Sequence, residues 1–242
     1  MQIKKIGTDK RLDVCERLLS SELAERAGEL ILLPIPTTKD KIHINGTDTT
    51  LAEVIDMADD STTVVGYSMP CDFKQSLLER GVRVLDISMS EGFLFSNAKV
   101  TAEGTLGYIL TSFESVPSDM KIGIIGYGRI GRCLTNMLLF LGARLTVYTT
   151  RESLRRELGE LGVNCEKTGE GCDFSDLDLL INTAPAPFAG IFSEGKPKIF
   201  ELASGENFPP ELEVKRLPSL PALMYPSSAG RLYAKYILKG LD

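Results

Sequence analysis

The stretch Lys121–Gly142, KIGIIGYGRIGRCLTNMLLFLG, decides the fold. Lys121–Ile125 is an apolar run of strand length, and glycine follows it at once. Gly126, Tyr127, Gly128, Arg129, Ile130 and Gly131 then spell Gly-x-Gly-x-x-Gly, and an amphipathic segment continues to Leu141 before Gly142 stops it. A bare glycine pattern is weak, and a chance turn in a sheet protein is the alternative. Strand, tight turn, helix and second strand in that order is the context a dinucleotide turn demands. Gly126 permits the turn, Gly128 lets backbone approach a pyrophosphate, and Gly131 lets helix and strand pack closely. The unpaired N–H groups and positive dipole end of the helix then suit the phosphates.

Working outward, short apolar runs alternate with amphipathic ones along the whole chain. Downstream, strands are expected at Arg144–Tyr148, Val163–Glu166, Asp178–Asn182, Lys198–Leu202 and Glu213–Leu217, which with Lys121–Ile125 make a six-stranded sheet. Upstream, strands near Lys4–Ile6, Leu30–Pro34, Thr63–Gly66 and Val82–Ile87 are separated by helical patterns at Arg11–Ser20, Leu51–Ala58 and Asp72–Arg80. Strand-helix alternation implies parallel sheets with helices on their faces. The chain therefore reads as α/β, with two doubly wound, Rossmann-like domains. Residues 1–97 are expected to hold substrate and residues 98–226 the dinucleotide. A helix from about Lys99 to Phe113 connects them, and the final amphipathic helix, 227–242, is expected to pack back on the first domain.

Cofactor choice is read just past the second strand of the dinucleotide domain. An acidic residue there accepts ribose hydroxyls, whereas a 2'-phosphate needs hydroxyl donors and a guanidinium. Tyr148 is followed by Thr149, Thr150 and Arg151, which suit NADP. Alternatively Thr150 caps the next helix, Arg151 is a solvated charge, and Glu152 serves an NAD ribose. Further on, Asn182, Thr183, Ala184 and Pro185 follow the fourth strand, where loops lie over the cofactor, and Ala203 and Ser204 repeat the arrangement after the fifth. Either could be a plain strand-ending turn.

The connecting helix carries Asn97, Thr101, Glu103, Gly104, Thr105 and Gly107 near its start. Two helical glycines cost about 1 kcal/mol each relative to alanine, which points to close approach by a ligand or another helix. Glu103 is the candidate proton acceptor, against the plainer reading of a solvated or paired charge. Ser227 and Ser228 open the last helix, where hydroxyls and helix N–H groups could hold a carboxylate or simply cap.

Composition narrows the function classes. The chain has 242 residues, 43% hydrophobic and 25% charged, which excludes disorder. Its net charge of -6 repels phosphodiester backbones, so nucleic acid is not an expected partner. No apolar run approaches bilayer length, and Met1–Gly7 has no h-region, so neither membrane insertion nor secretion is expected and the cytoplasm is the expected location. Cys15, Cys71, Cys133, Cys165 and Cys172 form no C-x-x-C pair and read as reduced thiols. With His43 as the one histidine, no metal site is expected, and His43 itself reads as an ordinary surface residue.

Taken together, NAKVTAEGTLGY (97–108), IGYGRIG (125–131), INTAP (181–185), ELAS (201–204) and LPSLPALMYPSSAG (217–230) resemble the A subunit of dipicolinate synthase. The resemblance is strongest from Asn97 onward. In the first domain it rests on Gly7–Arg11 and LPIPTT (33–38). It implies NADP-dependent oxidation of a dihydrodipicolinate-type ring to the aromatic dicarboxylate, in partnership with a flavoprotein B subunit during spore formation. Thr37, Thr38, Asn97, Thr101, Thr105, Ser227 and Ser228 are the expected holders of a small dicarboxylate substrate, with Glu103 taking the ring proton. A homodimer is compatible with this. Rival readings are a 2-hydroxyacid dehydrogenase-like reductase, which would lack its usual histidine here, and a non-catalytic NADP-binding regulatory subunit.

Overall fold

Strand burial explains the order in which the first sheet is built. β2 (Glu29–Leu32) and β3 (Thr62–Gly66) are almost wholly buried and lie in the middle, whereas β1 (Gln2–Lys5) exposes Gln2 and Lys4 and lies at the edge. With β4 (Arg83–Asp86) they form a parallel sheet in the order β1-β2-β3-β4. Its two faces use alternate residues, as a strand period of two requires. Leu30, Leu32 and Val65 pack with Leu12, Cys15 and Leu19 of α1 (Lys10–Glu22) and with Tyr233 and Ile237 of α8 (Pro226–Leu241). Ile31, Leu33 and Val64 pack with Val54 of α2 (Leu51–Met57) and with Phe73 and Leu77 of α3 (Cys71–Glu79). The crossing of α8 over α1 depends on Gly230, because a Cβ there would lie 2.6 Å from both the Arg11 carbonyl oxygen and Val14 Cβ.

This computed structural model describes residues 1–193 and 195–242. The chain divides into two compact units, residues 1–97 with 221–242, and residues 98–220. A long helix, α4 (Glu91–Ser112), precedes the second sheet. It begins at Glu91 rather than near Lys99, since Ser90 caps it: its hydroxyl accepts the Phe93 N–H at 3.3 Å and its carbonyl the Leu94 N–H. Aromatic Phe93 and Phe95 hide this start from a propensity reading.

The second unit holds β5 (Lys121–Ile125), α5 (Arg129–Phe140), β6 (Arg144–Tyr148), α6 (Leu154–Glu160), β7 (Asn164–Glu166), β8 (Cys172–Asp173), β9 (Leu179–Asn182), β10 (Gly190–Ile191), β11 (Lys198–Glu201) and β12 (Val214–Arg216). Six of these strands form a parallel sheet in the order β12-β11-β9-β5-β6-β7. The α/β class with parallel sheets is thus borne out. The winding direction reverses between β5 and β9, which makes their carboxyl ends a topological switch point, where ligands bind in open α/β sheets. Two departures concern short elements. β8 and β10 pair as a separate ribbon, and α7 (Leu220–Met224) occupies a stretch whose prolines read as loop. Among the described residues no helix is long and apolar enough to cross a membrane.

Candidate dinucleotide site

β5 delivers the glycine turn to the switch point. Gly126 has φ +90, a conformation that side chains disfavour, and its N–H donates to the Tyr148 carbonyl at 2.8 Å. At Gly131 an added Cβ would lie 2.3 Å from the Gly126 carbonyl oxygen, so the first turn of α5 closes directly onto the loop. Gly128 differs: a Cβ there would meet nothing within 4 Å. Its missing side chain fills no protein contact and leaves open space before the first N–H groups of α5. The Thr183 hydroxyl braces the turn from the β9 side, donating to the Ile125 carbonyl at 2.9 Å and lying 3.2 Å from that of Gly126.

A cavity of about 300 Å³ opens beside this turn, lined by Ile125–Gly128, Tyr148–Arg151, Thr168, Phe174 and Asn182–Ala189. Of the residues singled out in the sequence it brings together Gly126, Tyr127, Gly128, Thr149, Thr150, Arg151, Asn182, Thr183, Ala184 and Pro185. Arg129, Ile130 and Gly131 follow in the first turn of α5 instead. Aromatic rings make its apolar wall. Phe174 is 4.7 Å from Tyr148 and 5.4 Å from Phe188, centroid to centroid, and Phe188 stacks on Phe208 at 4.8 Å. Burial pushes the Tyr148 phenol above its ordinary range. Thr168, Phe174 and Phe188 went unrecognised in the sequence. The signal available was the spacing of Phe188, Gly190 and Phe192, which places all three on one face of an extended segment.

The polar side of the cavity is tightly committed. Arg151 Nη2 donates to the Tyr127 carbonyl at 2.8 Å, so Arg151 reaches back to the glycine turn and is not a merely solvated charge. Thr149 is buried, and its hydroxyl accepts the Arg151 N–H at 3.2 Å. Thr150 is exposed and does not cap α6, whose N-cap is Ser153. Asn182 is only 2% exposed. Its amide donates to the Ala184 carbonyl and to the Glu201 carboxylate, each at 3.0 Å, while its Oδ1 accepts the Ala184 N–H. Glu201 also accepts the Ala203 N–H at 2.9 Å, and burial raises its pKa. This contact joins the loops after β9 and β11, and Ala203 and Ser204, expected at the cofactor, are not among the residues that line the cavity.

The proposed substrate holders have their own settings. Thr37 is fully buried, its hydroxyl accepting the Tyr67 N–H at 2.9 Å, and Thr38 donates to Asp40. On α4, Asn97, Thr101 and Thr105 recur every four residues along one face, with the Thr105 hydroxyl donating to the Thr101 carbonyl, while Glu103 is exposed. Ser227 and Ser228 sit in the first turn of α8 and neither caps it. Tyr225 is the N-cap, and Pro226 takes the first position, where its missing N–H costs nothing. His43 is a surface residue, held by Asp40 at 2.8 Å.

No family model and no curated protein matches this sequence. Solved structures do. The A subunit of dipicolinate synthase from Bacillus halodurans matches with a TM-score of 0.78 at 20% identity, over 100% of this chain and 97% of that one. Its counterpart from Bacillus subtilis matches with a TM-score of 0.76 at 18% identity, over 100% and 95%. The chain has the fold of the dipicolinate synthase A subunit. A D-isomer specific 2-hydroxyacid dehydrogenase from Lactobacillus delbrueckii ssp. bulgaricus, in its NAD complexed form, reaches 0.50 at 13% identity over 100% and 96%. The dipicolinate synthase fold thus fits better than that of the rival enzyme class, and it extends through the first domain, where the motifs were weakest.

Proposed function

We propose that the chain is an oxidoreductase that uses a nicotinamide dinucleotide, NADP in preference to NAD, to oxidise a dihydrodipicolinate-type ring to the pyridine dicarboxylate. One observation carries this reading: a glycine turn at the switch point whose first and third glycines are needed by the protein's own packing, and whose second faces open space. The residues present fit a dinucleotide. The N–H groups of Gly128 and of the first turn of α5 would hold the diphosphate, and the cavity beside Tyr148, Phe174 and Phe188 would take the adenine. Support for the substrate comes from the fold likeness to the two dipicolinate synthase structures and from the motif resemblance.

Aromatisation removes a hydride and a proton from the ring. When bound, the nicotinamide supplies the hydride acceptor. This chain's part is to align the ring, exclude water and take the proton, and Glu103 is assigned that last role. Thr37, Thr38, Asn97, Thr101, Thr105, Ser227 and Ser228 are assigned the two carboxylates. The same reading includes partnership with a flavoprotein B subunit, a homodimer, and a cytoplasmic setting during spore formation.

Calorimetric titration with NADP and with NAD tests the cofactor, and an assay of reduced nicotinamide with dihydrodipicolinate, with and without the flavoprotein, tests the reaction. Saturable binding and turnover are expected. No heat and no thermal protection from either nucleotide would remove the assignment. Binding without turnover in both assays would favour a regulatory, nucleotide-binding role.

A further inference from the structure

Glu201 ends β11, is only 4% exposed, and does not line the dinucleotide cavity. Its partners are three neutral donors. The Asn182 amide reaches both carboxylate oxygens, at 3.0 and 3.2 Å, the Ala203 N–H meets one at 2.9 Å, and the Asn207 amide meets the other at 3.3 Å. Two routes lead from this carboxylate to the cavity. The first runs through Asn182, whose amide and Oδ1 close the turn 182–184 on the Ala184 carbonyl and N–H. That turn packs on the glycines: a Cβ on Gly126 would lie 2.8 Å from the Thr183 hydroxyl and 3.0 Å from Ala184 Cβ. The second runs through Asn207, whose carbonyl accepts the Phe188 N–H at 2.7 Å, and Phe188 belongs to the aromatic wall. Phe208, which stacks on Phe188, is the next residue after Asn207.

We infer that Glu201 is a positioning residue for the dinucleotide: one buried carboxylate, set back from the ligand, fixes the glycine turn through Asn182 and the aromatic wall through Asn207. The inference rests on the dinucleotide reading above and deepens it. Acceptor count is the reason. An ionised carboxylate presents acceptors only, so its two oxygens can hold donors from two loops at once. A glutamine side chain has the same shape but one acceptor oxygen, and its NH2 would face the amide of Asn182 or Asn207 or the N–H of Ala203. A buried donor set against a donor leaves both unsatisfied, and the loops yield. Those loops carry Thr183 and Phe188, so the phosphate end and the adenine end of the cavity shift together. Both ends are common to NAD and NADP, so Glu201 governs affinity without choosing between them.

The full chain and its Glu201→Gln, Asn182→Asp and Asn182→Asp/Glu201→Gln variants are titrated calorimetrically with NADP and with NAD near neutral pH. Each titration is run well below the variant's recorded melting temperature, and each substitution keeps the shape of the side chain. Glu201→Gln should raise both dissociation constants by a common factor of about three to ten. Asn182→Asp sets two carboxylates against each other across the 3.0 Å contact and should weaken both nucleotides by about tenfold or more. In the double variant the glutamine amide can donate to the aspartate, so affinity should recover by about threefold or more over Asn182→Asp alone. Recovery stays short of the parent, because the aspartate has no donor for the Ala184 carbonyl. Two substitutions that merely loosened the fold would add instead of compensating. If both single variants bind as the parent does, or the double variant is no better than Asn182→Asp, the positioning role is wrong while the dinucleotide reading stands. Loss of one nucleotide alone would also overturn it. If neither nucleotide binds the parent chain, both readings are wrong.

Discussion

Substituting Gly128 by alanine should separate folding from ligand binding. The residue has φ -83 and ψ -160, an extended backbone open to any side chain, and the added methyl would meet nothing within 4 Å. Replacing glycine where the new residue fits without strain stabilises by about 0.4–1 kcal/mol through the unfolded chain. For a protein of this size that is a melting temperature unchanged or raised by about 1–4 °C. The methyl would, however, occupy the space that a diphosphate needs to reach the N–H groups of α5. Each charge-assisted hydrogen bond lost costs about 1.5–3 kcal/mol, so NADP affinity should fall by about tenfold or more. Gly131→Ala is the contrast. Its Cβ would lie 2.3 Å from the Gly126 carbonyl oxygen, and ordinary contact requires the start of α5 to withdraw by about 1 Å. Overpacking of that kind costs about 1–3 kcal/mol, a melting temperature lower by about 2–12 °C. Differential scanning calorimetry and isothermal titration read the two effects. A Gly128→Ala chain that binds NADP as the parent does would refute the placement of the phosphates.

Three further substitutions probe the scaffold. Gly230→Ala puts a methyl 2.6 Å from the Arg11 carbonyl and Val14, and should destabilise the first unit by about 1–3 kcal/mol in urea denaturation. No change would mean that α8 does not cross α1 as described. The Thr135 hydroxyl is buried without a partner, so Thr135→Val should raise stability by about 1 kcal/mol, and a loss would point to a partner for the hydroxyl. Burial raises the folded pKa of Glu201 above its ordinary 4.5. Such a carboxyl favours folding in its protonated form, a contribution complete below the unfolded value and lost as pH rises through the folded one. Relative to Glu201→Gln, the parent chain should therefore lose stability as pH rises from about 4.5. A difference that grows with pH instead would show Glu201 to be stabilised as the anion.

What was legible in the sequence and what was not divides along a physical line. The glycine turn was legible because its geometry is local: a strand run, three glycines at fixed spacing and an amphipathic helix specify the backbone without distant residues. The ten strands of the two sheets were legible for a similar reason, since β2, β3 and β9 are buried on both faces and read as short continuous apolar runs. The start of α4 was not, because its first turn depends on one hydroxyl at Ser90 while Phe93 and Phe95 argue for another conformation. Nor was the β8–β10 ribbon. Two-residue strands have no periodicity to detect, and Phe174 reaches Phe188 only because the ribbon brings distant segments together.

Side-chain commitments were the least legible. Thr149, Thr150, Arg151 and Asn182 were singled out as ligand contacts because each has donors at a strand end. In the folded chain Asn182 spends its amide on Ala184 and Glu201, and Thr149 spends its hydroxyl on the Arg151 N–H. Both still border the cavity, but they shape it through backbone they hold in place. Arg151 is the clearest case: its partner is a carbonyl 24 residues earlier in the chain, a contact no local pattern encodes. That bond takes one N–H of the guanidinium and fixes where the rest of it stands beside the cavity. A motif can therefore locate the ribose end of such a site. Where each donor there points depends on contacts made across the fold, which no local pattern encodes.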